Sequence, residues 1–230
     1  MTEQLKNPAI NLKNVQFAYS KNSWQLQIPQ LTLATGQHLF VYGSSGSGKT
    51  TLLNLLSGIT QVDSGELWLN GQAMHTLSAK QRDLLRAQHI GVVFQQLNLI
   101  SYLSVLDNCL LSSYFAGKDR KQAILRAQTL LKHLDIAESL WHKPARILSV
   151  GQQQRVAIVR ALVPKPTILI ADEPTSALDS DNRDSFMQLM LAEASANQCT
   201  VIFVSHDRSL QQYFQAYLDM RQLAQGVQAC

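Results

Sequence analysis

Length, composition and charge place the chain among ordinary globular proteins. It has 230 residues, of which 46% are hydrophobic and 16% charged, and a formal net charge of +4. The longest apolar runs, at 167–171 and 201–204, fall well short of the roughly 18 residues that suggest a membrane-spanning helix. The N-terminus lacks the charged start and apolar stretch of a secretory signal, so we expect a cytoplasmic protein.

Cysteine spacing and the distribution of basic residues argue against three further classes of protein. Cys109, Cys199 and Cys230 are odd in number and widely spaced, which disfavours both a disulfide framework and a zinc site. The Lys and Arg residues are scattered along segments with helical patterns and form no block. We therefore expect no nucleic-acid partner.

Short β-type runs alternate with helical patterns along the chain. The runs cover residues 10–19, 38–42, 89–94, 167–171 and 200–204, and the helical patterns cover residues 50–59, about 77–88, 104–116, 119–134, 150–163 and 180–196. The last four runs are too apolar for strands that expose one face to solvent. They therefore favour a parallel sheet with both faces buried. The sequence therefore predicts an α/β fold.

The segment from about 97 to 163 breaks this alternation. It shows one helical pattern after another and no convincing strand. We expect it to form an α-helical subdomain inserted into a single domain, 1–230, whose core comprises residues 1–96 and 164–230.

A glycine-rich segment joins the predicted strand at 38–42 to the helix that follows. Its sequence, GSSGSGKT at 43–50, satisfies the pattern G-x-x-x-x-G-K-[ST] in the strand, loop and helix context that the pattern requires. The glycines allow backbone N–H groups to turn towards phosphate oxygens, Lys49 adds a positive charge, and the Thr50 hydroxyl can bind Mg²⁺. A glycine-rich turn without a ligand is the alternative interpretation.

Two acidic residues end the apolar run at 167–171. Asp172 and Glu173 follow it directly, at the carboxyl edge where ligands of open α/β sheets bind. Asp172 is placed to hold Mg²⁺, directly or through water, and Glu173 to polarise a water that attacks the γ-phosphate. A solvated acidic turn is the alternative.

Three residues at other strand ends are weak indicators individually. Gln95 follows the run at 89–94, and its amide could reach Mg²⁺ or the attacking water. His206 follows another run, where an imidazole could contact the γ-phosphate. Tyr19 ends the first run and could stack on a base. A surface glutamine, a structural histidine and a packing aromatic are the simpler interpretations of each residue alone.

The segment LSVGQQQRVAIVRAL at 148–162 contains no acid, histidine or lysine. Ser149 can cap a helix, and Gln152 lies three residues later, as a capping box requires. Val156 and Val159 then repeat at helical spacing. Read locally, the segment is the start of a helix and needs no ligand.

The order and spacing of these segments resemble the nucleotide-binding subunit of an ATP-binding-cassette (ABC) transporter over essentially the whole chain. The matching motifs are Walker A at 43–50, the Q-loop at Gln95, the signature LSVGQ at 148–152, Walker B with its acid at 168–173, the D-loop SALD at 176–179, the switch-histidine loop VSHD at 204–207 and an aromatic A-loop residue at Tyr19. The resemblance implies a P-loop NTPase core with a mainly parallel sheet, an N-terminal antiparallel β portion and the inserted helical subdomain.

The resemblance also implies ATP and Mg²⁺ as cofactors and assigns residues to them. Hydrolysis would use Glu173, His206 and Gln95, and the metal would be held by Thr50, Gln95 and Asp172. The residues implied to contact the nucleotide are Tyr19, Gly43, Ser44, Ser45, Gly46, Ser47, Gly48, Lys49, Thr50, Thr51, Ser149, Gly151, Gln152 and Asp179.

The family arrangement implies two kinds of partner. Two subunits, here a homodimer, would sandwich two ATP molecules, each site combining the Walker A motif of one subunit with the signature of the other. Closing on ATP and opening after hydrolysis would move integral membrane subunits. The chain would then lie on the cytoplasmic face of the inner or plasma membrane. The expected dock is the surface around Gln95 and 97–108, although its apolar residues could equally be core.

The motif wording is most similar to subunits of the lipoprotein-release, macrolide-export and FtsE-like type, whose membrane partners work as mechanotransmitters. Conventional importer subunits share much of this wording. One departure is Val150, which replaces the first glycine of LSGGQ and narrows backbone freedom there. Because Ser149 and Gly151 remain, we expect a working site.

Three other interpretations explain less of the sequence. A soluble ABC ATPase of repair or translation usually carries coiled coils, zinc motifs or a second cassette, and these patterns are missing from the sequence. A P-loop kinase or GTPase would leave the signature unexplained, and the NKxD motif of guanine recognition is missing. A clamp that binds ATP without turnover would not need Glu173.

Overall fold

A computed structural model describes residues 8–20, 25–176, 178 and 180–225, so Asp179 and Cys230 lie outside the described residues. The chain divides into two units, one formed by Met1–Arg86 with Thr200–Cys230 and the other by Ala87–Cys199. This division does not correspond to the helical subdomain expected between about 97 and 163, and the boundaries of that subdomain stay a prediction.

The elements follow one another in the alternating order expected of an α/β fold. The strands are β1 (Ile10–Ala18), β2 (Gln25–Leu33), β3 (Leu39–Tyr42), β4 (Ser64–Leu69), β5 (Gln72–Ala73), β6 (Ile90–Val93), β7 (Ile168–Asp172), β8 (Thr200–Ser205), β9 (Ala216–Asp219) and β10 (Ala224–Gln225). The α-helices are α1 (Lys49–Leu56), α2 (Ala79–His89), α3 (Val105–Phe115), α4 (Arg120–His133), α5 (Val150–Leu162) and α6 (Ser180–Ala196).

The first unit contains an antiparallel sheet in the order β10-β2-β1-β4-β5. In β1, Ile10 and Leu12 are buried, and after a shift of register between Lys13 and Gln16 the buried positions become Val15 and Phe17. The irregularity changes the phase of the alternation, because an extra residue in one strand moves the following side chains to the other face. One face of β1 is thereby kept in the core along its whole length.

The same unit contains three parallel strands. β3 pairs with β8 on one side and with β9 on the other. Phe40 and Val41 of β3 are fully buried. This is the pattern of a strand that is covered on both faces, as its apolar sequence predicts.

The second unit combines the parallel pair β6 and β7 with α3, α4, α5 and α6. The strand β6 approaches the end of α5 closely, and a Cβ added at Gly91 would lie 2.5 Å from the Ala161 carbonyl oxygen. Most of α5 is buried, including Val156, Ile158 and Leu162. The helix that carries the signature motif is therefore part of the core of its unit.

Every strand and helix predicted from sequence is present, with ends that differ by a few residues. The expected α/β class, with parallel strands and an antiparallel N-terminal portion, is confirmed. The strands that the sequence did not predict are β2, β4, β5, β9 and β10. Pro29 in β2 lacks a backbone donor, and Gly65 in β4 has a φ of 87°, so both residues weaken the strand pattern.

The two described cysteines are packing residues. Cys109 and Cys199 are fully buried, and neither is in a disulfide. Burial raises the pKa of both thiols, that of Cys199 to about 12. At neutral pH both side chains stay protonated and behave as small apolar groups.

Candidate nucleotide-binding site

The segment 43–50 forms the loop between β3 and α1 in the first unit. Gly46 and Gly48 have φ values of 76° and 93°, in the left-handed region that glycine adopts without steric cost. Gly43 has no room for a side chain, since a Cβ there would lie 2.9 Å from Cβ of Met220. The loop therefore has the tight backbone course that lets N–H groups converge on a phosphate.

Lys49 brings a positive charge back over this loop. Its ammonium donates hydrogen bonds to the carbonyl oxygens of Gly43 at 2.7 Å and of Ser44 at 3.1 Å. Lys49 is also the first residue of α1, whose N-cap residue, Gly48, has no side chain to accept hydrogen bonds from the helix. The ammonium and the start of the helix together create positive potential at the loop.

His206 lies at the same sheet edge as the start of the phosphate loop. Tyr42, the last residue of β3, aligns with Ser205 of β8 and with Asp219 of β9. Since these strands are parallel, the residues that follow them emerge at one edge. His206 directly follows Ser205 and is exposed. His206 and the start of the phosphate loop therefore emerge at the same edge of these strands.

A charged cluster that the sequence did not reveal occupies this edge as well. The Asp219 carboxylate accepts a hydrogen bond from Nε of Arg221 at 3.0 Å, and a guanidinium nitrogen of Arg208 lies 3.6 Å from it. Hydrogen bonding to Arg221 lowers the pKa of Asp219 to about 2. Arg208 also lies 4.2 Å from the ring centre of Tyr42. Asp219 is therefore ionised and paired at neutral pH, and is no candidate for a base.

Tyr19 lies beside the helix that follows the phosphate loop. Its hydroxyl is 3.3 Å from Oγ1 of Thr51 in α1. Phe17 contacts its ring edge-on, with ring centres 4.9 Å apart, and 65% of Tyr19 is exposed. An exposed ring that is fixed on one side in this way is suited to stack on a base.

The predicted acids of the second unit share an edge with Gln95. The strands β6 and β7 are parallel, and Val93 aligns with Ala171. Gln95 therefore lies beyond the same carboxyl edge as Asp172 and Glu173. Gln95 is exposed, and the two acids are half-buried. The structure brings these three predicted residues to one edge.

The backbone at Glu173 is strained. Its φ is 44°, in the left-handed region, which costs a residue with a side chain roughly 1–2 kcal/mol. Two contacts hold the turn: the Ser176 N–H donates to the Glu173 carbonyl at 3.2 Å, and Nε2 of Gln154 donates to the Pro174 carbonyl at 2.9 Å. Strain of this kind persists only where surrounding contacts fix it, and it concentrates at functional sites.

The capping box predicted at the start of α5 is confirmed. The Gln152 N–H donates to Oγ of Ser149 at 3.3 Å, and the Ser149 N–H donates to Oε1 of Gln152 at 3.0 Å. Val150 is 53% exposed, so its side chain is not part of the core. A Cβ added at Gly151 would meet no atom within 4 Å, so the region around the signature is open.

A cleft of about 200 Å³ opens at this helix start. Its walls include Ser149, Gly151, Gln152 and Arg155. A helix N-terminus and a guanidinium both favour an anion. Asp135 also lines the cleft and lies 3.6 Å from the Arg155 guanidinium, so part of that charge is compensated within the chain.

The predicted D-loop residue Asp179 lies outside the described residues. Among the described residues, no helix has both the length and the apolar character that crossing a bilayer requires.

Comparison with known protein families places the chain. Residues 26–176, more than half of the chain, match the family described as ABC transporter. The chain belongs to the ABC transporter family. It is an ATP-binding subunit of that family and an enzyme that hydrolyses ATP.

Two curated ABC proteins illustrate the relationship. The lipoprotein-releasing system ATP-binding protein LolD of Saccharophagus degradans is 38% identical over 206 residues, which cover 88% of this chain and 90% of LolD. The macrolide export ATP-binding/permease protein MacB of a Shewanella species is 39% identical over 191 residues, which cover 83% of this chain and 29% of MacB. This chain therefore spans nearly all of LolD but less than a third of MacB.

Solved ABC structures agree with the fold. The dimeric post-hydrolysis state of the ATP-binding cassette MJ0796, bound to ADP and Pi, has a TM-score of 0.78 and 31% identity, with 96% of this chain and 100% of that chain covered. The cassette cbiO1 of Clostridium perfringens, part of the ABC transporter complex cbiONQ, has a TM-score of 0.81 and 28% identity, with 93% and 84% covered. The predicted P-loop NTPase fold is thus confirmed.

Sequence reasoning missed side chains that support these ABC motifs. Gln154 belongs to no motif, yet it is 2% exposed and contacts the turn that follows Glu173. Its position one helical turn before the buried Ile158 is a signal that periodicity could have supplied. The ion pair of Asp219 and Arg221 gave no such signal in the sequence, because an aspartate and an arginine two residues apart at the end of a strand form no known motif.

Proposed function

We propose that two copies of this chain close on ATP and open after its hydrolysis, and that this movement powers a membrane complex. The observation that carries the proposal is the exposed, capped start of α5 beside a cleft of about 200 Å³. Such a helix end favours an anion, but LSVGQ contains no lysine that would complete a phosphate site. The phosphate is therefore supplied by a nucleotide held on a second copy. The dimeric MJ0796 structure supports this arrangement.

In each copy the nucleotide binds to the phosphate loop and the residue after it, 43–51. Backbone N–H groups of the loop and the Lys49 ammonium bind the β- and γ-phosphates, and Tyr19 stacks on adenine. From the second copy, Ser149, Gly151 and Gln152 contact the γ-phosphate. The positive φ values of Gly46 and Gly48 support the first of these assignments.

Mg²⁺ accompanies the nucleotide. The donors assigned to it are the Thr50 hydroxyl, the Gln95 amide oxygen and the Asp172 carboxylate, all hard oxygen ligands of the kind that Mg²⁺ prefers. Thr50 and Gln95 are exposed, and Asp172 is half-buried at the end of β7, so all three residues are at least partly accessible to solvent. When bound, the metal neutralises charge on the phosphates.

Hydrolysis depends on three side chains. Glu173 polarises the attacking water, Gln95 helps to orient it, and His206 contacts the γ-phosphate. The strained backbone at Glu173 supports its role, because such strain concentrates at active sites. The carboxylate of Asp219 is unsuitable for the same task, since it is already bonded to Arg221.

Membrane subunits dock on the surface around Gln95 and 97–108, which we name the docking segment. Its first half is accessible, with Tyr102 72% exposed and Leu99 half-buried. In its second half Val105 and Leu106 are buried. The first half therefore contacts the partner, and the second half packs into the core. A subunit docked in this way is peripheral on the cytoplasmic face of the membrane.

Membrane systems for lipoprotein release or macrolide export are the favoured setting. The LolD relative supports this choice, because the match covers 90% of that protein. Within such a system ATP closure would act as a mechanical stroke on the membrane subunits. A conventional importer and a soluble ATPase outside transport remain as outcomes of the test.

Purification of the tagged chain from membranes tests the proposal. We expect an integral membrane protein of the release or export type to co-purify with ATPase activity. A Lys49→Ala chain should recover the same partner without activity. An importer permease would move the chain to the importer class, and recovery without any membrane protein would contradict the proposal.

A single substitution tests the dock. Leu99→Asp should abolish recovery of the membrane subunit while ATP binding is kept, because it places a charge on the accessible half of the docking segment. Unchanged recovery would show that the dock lies elsewhere.

A further inference from the structure

Two consecutive backbone carbonyls in the docking segment point at one guanidinium. Arg160 donates from NH2 to the Leu97 carbonyl at 2.6 Å and from NH1 to the Asn98 carbonyl at 2.7 Å. Successive carbonyls of an extended chain point to opposite sides, so this arrangement needs a turn. Asn98 makes the turn with a φ of 50°, and asparagine is one of the few residues besides glycine that adopt this conformation readily.

The guanidinium is firmly held. Burial lowers the pKa of Arg160, yet an arginine remains protonated throughout the physiological range. Hydrogen bonds from a charged donor are shorter and roughly twice as strong as neutral ones. The backbone of Arg160 is fixed as well, because Oγ of Ser112 in α3 donates to its carbonyl. Arg160 therefore joins α5 to the docking segment with little freedom on either side.

A second side chain, this one buried, fixes the other end of residues 97–104. Asn108 of α3 is fully buried. Its Oδ1 accepts a hydrogen bond from the Ile100 N–H at 2.8 Å, and its Nδ2 donates to the carbonyls of Ile100 and Ser104, both at 3.0 Å. Residues 97–104 contain no helix or strand, but they are clamped to α5 and α3 at both ends.

The helix α5 links this clamp to the signature motif. Ser149 caps one end of the helix, and Arg160 lies near the other, about 16 Å away at 1.5 Å per residue. We infer that Arg160 is a positioning residue that makes the docking segment move with the signature helix. A displacement of Ser149 on ATP closure then reaches Leu97 and Asn98 through one rigid helix and two hydrogen bonds. This inference rests on the proposed function.

The first test changes the two carbonyls and leaves the half-buried Arg160 intact. Asn98 is exposed, so substitutions there spare the core. Asn98→Val disfavours the left-handed turn and redirects both carbonyls, whereas Asn98→Gly keeps the turn. In the assembled complex with its membrane subunits, Asn98→Val should lower kcat for ATP by about fivefold or more with KM changed by less than about twofold. Because Asn98→Gly keeps the turn, it should lower kcat clearly less than Asn98→Val does.

The second test changes the donor. Arg160→Lys offers one nitrogen in place of a two-pronged fork, so it cannot hold both carbonyls in their present directions. Arg126 of α4 supplies a matched control. Its guanidinium donates to a backbone carbonyl of α5, that of Leu162, at 3.3 Å, whereas Arg160 donates to carbonyls of the docking segment. Arg160→Lys should reproduce the loss of kcat, and Arg126→Lys should not.

The double variant shows whether both substitutions act through the same contact between Arg160 and the two carbonyls. If they do, Asn98→Val with Arg160→Lys should be no slower than the slower single variant by more than about twofold. Independent, multiplying losses would overturn the inference, as would equal kcat values for Asn98→Val and Asn98→Gly. Failure of the proposed function looks different, because the unmodified chain would then show no membrane partner to be coupled.

Discussion

Gln154 and Pro174 join the signature helix to the turn that carries Glu173. The Gln154 Nε2 donates to the Pro174 carbonyl at 2.9 Å, and the side chain is 2% exposed. A buried hydrogen bond therefore joins the helix to the turn. Since Glu173 is held in a left-handed conformation, this bond helps to keep its carboxylate in place.

Gln154→Met should weaken both stability and turnover. Methionine fills a similar volume but leaves the Pro174 carbonyl without its donor, which costs about 1–3 kcal/mol. Thermal unfolding and ATP turnover of the assembled complex measure the two effects. The neighbouring Gln153→Met is a matched control, since Gln153 donates to the Leu148 carbonyl and not to the turn. Equal turnover in both variants would show that the bond does not position Glu173.

Substitutions at Ser149 should separate its structural role from its ligand role. Ser149→Ala removes the cap and should cost about 1 kcal/mol, or about 2–4 °C in Tm. Ser149→Asp keeps a good cap, so Tm should stay close to wild type, but its carboxylate would repel the γ-phosphate of the second copy. ATPase activity should therefore fall much further with aspartate than with alanine. The reverse order would contradict contact between Ser149 and phosphate.

Val150→Gly should change turnover only modestly. The valine side chain is 53% exposed, and it lies at the first position of a helix whose cap is intact. We expect less than about a tenfold change in ATPase activity of the complex, equivalent to about 1.4 kcal/mol. A larger rise would mean that the native signature is impaired by its β-branched residue.

Tyr19 should affect the binding of ATP through its ring and not through its hydroxyl. Tyr19→Ala removes the stacking surface, worth about 0.5–1.5 kcal/mol, and should raise KM for ATP by up to about tenfold. Tyr19→Phe loses only the contact with Thr51 and should leave KM within about twofold of wild type. Similar KM values for Tyr19→Ala and wild type would show that the Tyr19 ring does not contribute to the binding of ATP.

The elements that sequence reasoning recovered are those with strong local signals. The strands β3, β6, β7 and β8 are recognisable as short, continuous apolar runs. The capping box at Ser149 and Gln152 needs only two residues at the right spacing. β2 escaped because Gln residues and Pro29 obscure its alternation. In these cases the physics that forms the element acts within a few residues of the chain.

The partners of the side chains that support the motifs could not be found in this way, even where periodicity indicates that a side chain such as Gln154 is buried. Arg160 reaches carbonyls 62 and 63 residues away in sequence, and Gln154 reaches one 20 residues away. Contacts of this kind depend on how helices pack, and no local pattern encodes them. Motifs therefore identified the chemical groups, whereas the structure was needed to identify what holds them.

The proposed ATP-driven closure of two copies is tested most directly with Glu173→Gln. Without its base the variant should bind ATP but not hydrolyse it, so closed dimers should accumulate. Size-exclusion chromatography with light scattering should show a particle of twice the chain's mass with ATP and Mg²⁺, and a single chain with ADP. Adding Ser149→Asp to this variant should restore the single chain. A Glu173→Gln chain that stays monomeric with ATP, or hydrolyses it at the wild-type rate, would contradict the proposal.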